Sequence, residues 1–266
     1  MFPSLEQIRK EIKERNYAKI LFNLSRKELY TAAVSFLEFL TLPSDFKNSF
    51  FAQYDPADHR SEVGYQRKKK INGSNDDKEF FHYHYMVEEC LKPVIDGADE
   101  KTKQFLHHAR KIYKEAGGLV KNLLDLFEVE YPGITAQFYD DIDKPRIFIR
   151  FLKYDAKGKG DFLARGHYDK GAFAIALSES APGLRIGKND KTIKEVEHEE
   201  HTTFFMPALY FSTLTDKEFT PAWHDVVQRS EDTFSDTVSR WAIVCFADAK
   251  GMDVPTEADT HTVKEY

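Results

Sequence analysis

His167 and Asp169 stand two positions apart in the segment ARGHYDKGAF. A strand is predicted to begin here, and its period of two sends both side chains to one face while Tyr168 points to the other. One imidazole and one carboxylate can therefore grip a single cation. A third ligand must come from another stretch, and His224 in TPAWHDVV lies where a closed sandwich could return it opposite the pair. Two His and one carboxylate fill one face of an octahedral ion and leave the other open, the donor set of non-haem Fe(II) sites that bind dioxygen. The ordinary alternative is chance: with 10 His in the chain, an HxD can arise by accident and most single His are surface or core residues. Arg240 opens a further apolar strand, and a permanently charged guanidinium near a metal pocket suits a dicarboxylate. Its ordinary reading is a charge at a strand edge.

Two kinds of element would have to position these groups. Ser4 with Gln7 and Ser25 with Glu28 read as capping boxes at the start of two early helices. A third helical pattern runs from Lys101 to Phe127, interrupted by Gly117 and Gly118, and a long helix or a broken pair is expected there. After Pro132 and Gly133 the chain turns to short apolar runs: PRIFIRFLKY (145–154), GAFAIALSE (171–179), TTFFMPALYF (202–211) and RWAIVCFAD (240–248). These read as strands. A helical first half and a strand-rich second half predict an α+β fold, mainly β at its core, in which a sandwich or barrel is buttressed by helices. The regular βα alternation of a Rossmann sheet is missing. RKKKINGSNDDKE (67–79) reads as an exposed loop and residues 250–266 as a polar surface tail or loosely packed last element.

The chain has 266 residues, 41% hydrophobic and 31% charged, which suits one large domain and excludes a disordered chain. Subtracting 44 acidic from 38 basic residues leaves −6, so no nucleic-acid or membrane partner is expected. Two distant cysteines, Cys90 and Cys245, and a start without an apolar signal core fit a reducing, cytoplasmic location. There is no Walker loop and no GxSxG, which removes support for nucleotide-dependent and serine nucleophile chemistry.

Taken in order, these segments resemble the iron(II) and 2-oxoglutarate-dependent dioxygenases, specifically the isopenicillin N synthase-like branch. GHYDKGAFAIALSESAPGLRIG is similar to that branch's run from the HxD pair through a Gly-initiated strand to a Gly-Leu pair, here Gly183 and Leu184. MPALYFSTLTDKEFTPAWHDVVQ resembles the approach to its second metal His, and RWAIVCFAD its Arg-initiated closing strand. IRFLKYDAKG is similar to a strand ending in a Tyr that touches the cosubstrate, and DKEFFHY (77–83) to a Lys-Glu-Phe element of the helical half. The resemblance implies a double-stranded β-helix (jelly roll, cupin-like) in a single oxygenase domain, 1–266. It divides into a helical half (1–130), a β-helix core (131–250) and a polar tail (251–266). It further implies His167, Asp169 and His224 as Fe(II) ligands, and Arg240 with Tyr154 as the anchor for 2-oxoglutarate. Dioxygen is then the oxidant, a small molecule is hydroxylated, and succinate and CO2 are released. Asp169 favours hydroxylation, desaturation or ring closure over halogenation, because the related halogenases leave the carboxylate position vacant.

Two positions depart from the pattern: Ala242 stands where the family usually has a Ser that binds the carboxylate, and Leu152 where many members have an Asn. They are the best support for a second reading, a metal-binding β-helix protein without oxidative turnover; a third, an Fe(II) oxidase that dispenses with 2-oxoglutarate, has the retention of Arg240 and Tyr154 against it. His198 and His201 in EHEEHTT are read as a solvated hairpin, and Phe80, His82, Phe173 and Trp223 as pocket candidates. Both metal histidines must be neutral to bind, so iron affinity is expected to fall as pH drops through about 6.5 or lower.

Overall fold

The computed structural model describes residues 2–68, 78–155, 160–229, 234–235, 238–252 and 256–263. Its strands in chain order begin with β1 (Ala18–Leu21), β2 (Phe51–Gln53), β3 (Glu62–Lys68), β4 (Lys78–Tyr83) and the small hairpin β5 (Tyr139–Asp141) and β6 (Lys144–Pro145). The strand-rich half continues with β7 (Ile147–Asp155), β8 (Phe162–His167), β9 (Phe173–Glu179), β10 (Leu184–Gly187), β11 (Lys194–Glu195), β12 (Thr202–Pro207), β13 (Trp223–Val227) and β14 (Val238–Ala247). Eight of them form one antiparallel sheet in the order β1-β12-β9-β14-β7-β4-β3-β2, and four form a second in the order β11-β10-β13-β8. The chain alternates between these sheets, so they face each other as a jelly roll. This is the predicted β core with helices behind it.

Alternation along β7 shows how the layers are built. Ile147, Ile149 and Phe151 point to the helices, while Leu152 and Tyr154 belong to the apolar cluster between the sheets. On the helical side Phe105 meets Phe151 and Phe81 edge-on at 5.1 and 5.0 Å, geometry that aromatic quadrupoles favour. Ser25 completes its capping box, accepting from the Glu28 amide at 3.3 Å while its own amide donates to the Glu28 carboxylate at 2.9 Å. Ser4 completes only half: its hydroxyl accepts from the Gln7 amide, but the Gln7 side chain turns to Glu11.

Of the two forms expected around Gly117 and Gly118 the long helix is the one found, unbroken over Glu100–Glu128. A Cβ at Gly117 would touch Pro145 at an ordinary 3.8 Å and one at Gly118 would meet open space, so helical propensity is all that these glycines cost. TTFFMPALYF is strand only as far as Pro207, which has no N–H for the ladder, and a helix, Leu209–Leu214, follows. Arg67 is exposed as expected, and it pairs with Glu79 at 2.9 Å and Asp155 at 3.2 Å. Residues 69–77 of that predicted loop lie outside the described residues.

Candidate metal centre

His167 is the last residue of β8, so the HxD pair sits at the exit of a strand and not at the start of one. The ladder ends there because the Tyr168 amide donates to Thr260 O, at 2.8 Å. Tyr168 points away from its neighbours as expected, fully buried with its ring 4.9 Å from Trp223. Trp223 in turn lies over Gly166, where a Cβ would fall 2.7 Å from its ring. His224 on β13 is the register partner of His167, which brings the two rings to 4.3 Å between centroids. Asp169 completes the group, with its carboxylate oxygens 3.7 Å from His167 Nε2 and 3.8 Å from His224 Nε2. One ligand atom from each residue lies within 4.8 Å of the others.

The chemistry of this donor set fits a cation. His167 Nδ1 lies 2.7 Å from Arg165 O and His224 Nδ1 lies 3.2 Å from Ala222 O. A carbonyl can only accept, so each Nδ1 carries the proton and each Nε2 presents a lone pair toward the carboxylate. Three acceptors therefore converge without a proton between them, an arrangement that a metal ion relieves. Desolvation, followed by the neighbouring His224, pushes His167 below the ordinary imidazole range, so its lone pair stays available under mild acidity.

Burial lowers three further imidazoles: His84 and His198 to about 4, and His82 well below 6.5. Each is charged less readily folded than unfolded, so between those values and about 6.5 the unfolded chain binds more protons. Stability must then fall as pH drops. Each fully suppressed imidazole costs about 2 kcal/mol at pH 5 relative to neutrality. Urea unfolding of the metal-free protein should show a clearly lower midpoint at pH 5 than at pH 7.5; equal midpoints would contradict this ionisation pattern.

Arg240 and Tyr154 sit at the other end of the space between the sheets. They are register partners on β14 and β7, both buried, as are Ala242 and Leu152 two positions further in. Burial lowers Arg240 to about 10, partly offset by Tyr154. Its Nη2 is held by the buried Glu179 carboxylate, whereas Nε and Nη1 are buried without a hydrogen-bond partner. Two orphaned donors at this depth suit an acidic ligand group. Gly183 makes room for this head group: its φ is +137°, and a Cβ there would lie 2.4 Å from Val227 O and 3.3 Å from Arg240 Nη1. Gly183→Ala should cost about 1–3 kcal/mol of unfolding free energy, measurable by denaturant titration, and a cost near zero would contradict the close approach.

Between these two ends lies a third polar group that the sequence did not single out. Arg150, four residues before Tyr154 on the same face of β7, is roughly 13 Å nearer the metal end. Its Nε donates to His82 Nε2 at 2.7 Å, and its guanidinium lies 4.5, 5.3 and 5.5 Å from the rings of Phe246, Phe80 and Phe148. Of the pocket candidates, Phe80 and His82 belong here. Phe173 packs on Phe205 and Phe211 on the helical side, and Trp223 packs on Tyr168.

His198, read as solvated, is instead buried: its Nε2 lies 2.7 Å from Ala176 O and its Nδ1 3.3 Å from Glu179. His201 is exposed. The polar tail is also more than surface. Glu257–His261 is a helix with its own capping box at Thr256 and Asp259, and the His261 ring lies 5.8 Å from His167. The tail's polar composition carried no signal of this contact.

No family model and no curated protein matched the chain. Solved structures do. A Neurospora crassa protein in complex with alpha-KG and 5-formyluracil superposes with a TM-score of 0.71 at 14% identity, covering 97% of this chain and 84% of that one. Dioxygenase for auxin oxidation 1 from Arabidopsis thaliana, in complex with 2-oxoglutarate, gives 0.66 at 16% identity, covering 95% and 88%. JOX2 in complex with 2OG, Fe and JA gives 0.63 at 16% identity, covering 96% and 74%. The chain thus has the fold of the Fe(II) and 2-oxoglutarate oxygenases, and it carries a His-Asp-His cluster. No helix among the described residues is long and apolar enough to cross a membrane.

Proposed function

We propose that this protein is a non-haem Fe(II)/2-oxoglutarate-dependent oxygenase that hydroxylates a small molecule. The observation that carries the reading is the convergence of His167 Nε2, Asp169 and His224 Nε2 as three acceptors at the mouth of the jelly roll. With ferrous ion, 2-oxoglutarate and dioxygen bound, such a site supplies decarboxylation of the 2-oxo acid to succinate and CO2, with one oxygen atom passing to succinate and the other to the substrate. The chain's own residues do the positioning. His167, Asp169 and His224 hold the ion, and the backbone carbonyls of Arg165 and Ala222 fix the two rings in the ligating tautomer. Arg240 and Tyr154 face the distal carboxylate of the cosubstrate, while Leu152, Ala176, Val226 and Ala242 keep the intervening space apolar.

Arg150 and its three phenyl neighbours point to the substrate's chemistry. A cation among aromatic faces at the metal end favours a planar or anionic small molecule, which stacking and charge would orient together. The fold's relatives with 5-formyluracil and JA bound support a small-molecule substrate. Incubating the Fe(II)-loaded protein with 2-oxoglutarate in air tests the reading: succinate should accumulate in proportion to the 2-oxo acid consumed, even slowly without substrate. No iron-dependent succinate, with or without planar acids added, would overturn it.

A further inference from the structure

Arg240 already has a carboxylate partner. Glu179, the last residue of β9, is the register partner of Ala242, so its side chain reaches the guanidinium from the position across from the missing Ser. Its Oε2 binds Arg240 Nη2, its Oε1 lies 3.3 Å from His198 Nδ1, and all three side chains are at most 5% exposed. The stereochemistry of arginine gives this contact its weight. A carboxylate can dock bidentately on Nη1 with Nη2 or on Nε with Nη2, and both forks share Nη2. Nη2 carries one N–H in each fork, so Glu179 takes one of the two, leaves an incoming carboxylate one fork at most and cancels the charge that would hold it there. A cavity of about 490 Å³ beside Arg240 is lined also by Glu195, Glu197 and Arg229, the last of which pairs with Glu195.

We propose that Glu179 is a built-in competitor for the distal carboxylate of the 2-oxo acid, a specificity-determining residue that sets how strongly this site prefers a dicarboxylate. The proposal rests on the reading above that Arg240 faces the cosubstrate. While Glu179 holds Nη2, the net charge offered to the ligand is near zero, and a 2-oxo acid without a distal carboxylate loses little by comparison. Removing the negative charge restores the net charge of the cation to the ligand.

Calorimetric titration of the Mn(II)-loaded protein with 2-oxoglutarate and with pyruvate, which shares the 2-oxo acid head but lacks the distal group, tests this without turnover. The wild type should bind the two within about tenfold of each other, and E179Q should tighten 2-oxoglutarate by at least about tenfold while moving pyruvate by less than about twofold. Unchanged or weaker 2-oxoglutarate binding by an E179Q protein that still holds Mn(II) would overturn the role of Glu179 and leave the oxygenase reading standing. Failure of both Mn(II)-loaded proteins to bind either acid would overturn both. If E179Q does not fold, wild-type crystals soaked with Mn(II) and 2-oxoglutarate decide: Glu179 moved off Nη2 supports the proposal, and 2-oxoglutarate paired to Arg240 through two of its nitrogens with Glu179 still in place contradicts it.

Discussion

Asp169→Ala should lower Fe(II) affinity by more than about a hundredfold and abolish succinate formation, because two imidazoles alone retain neither the charge nor the third position of the ligand set. The carboxylate is the only anionic member of the cluster, 3.7 and 3.8 Å from the two Nε2 atoms. Its loss also removes an acceptor that repels their lone pairs when no metal is bound. The metal-free variant should therefore melt no lower than the wild type, which separates loss of ligation from loss of fold. Equilibrium dialysis with Fe(II) under nitrogen, paired with a thermal melt, measures both. An Asp169→Ala protein with wild-type iron content would remove Asp169 from the centre.

Arg240→Met should destabilise the fold by about 3–5 kcal/mol, because it leaves the buried Glu179 carboxylate without a compensating cation. Removing both charges should be far milder: R240M/E179L, which fills the space with apolar side chains of similar volume, should recover most of the loss. Urea unfolding of the three proteins checks this. A double variant as unstable as the single one would mean that packing around the arginine stem, and not the uncompensated charge, sets the cost.

How much of this could be read beforehand depended on whether a feature was local. HxD spacing, the strand period and the apolar stripe of the long helix are set by neighbours in sequence, and the structure brings His167, Asp169 and His224 together on adjacent strand ends. The Arg240 and Tyr154 pairing depended on strand register and was available only through the resemblance. Glu179 was invisible for a different reason. It closes an ordinary apolar strand, and only a register shift in the β9–β14 ladder sets it opposite Ala242. His198 looked solvated because its neighbours are charged, yet the hairpin folds its ring against Ala176 and Glu179. At Gly117 and Gly118 the sequence left a long helix and a broken pair open, and the helix runs through because nothing nearby demands a bend.

The most direct test of the account is a crystal soaked anaerobically with Fe(II), with data collected above and below the iron absorption edge. A single anomalous peak should lie about 2.0–2.2 Å from His167 Nε2, an Asp169 oxygen and His224 Nε2, with the remaining positions turned toward Arg150 and the space leading to Arg240. A peak bonded to another set of residues, or an iron-soaked crystal without density among these three, would contradict it.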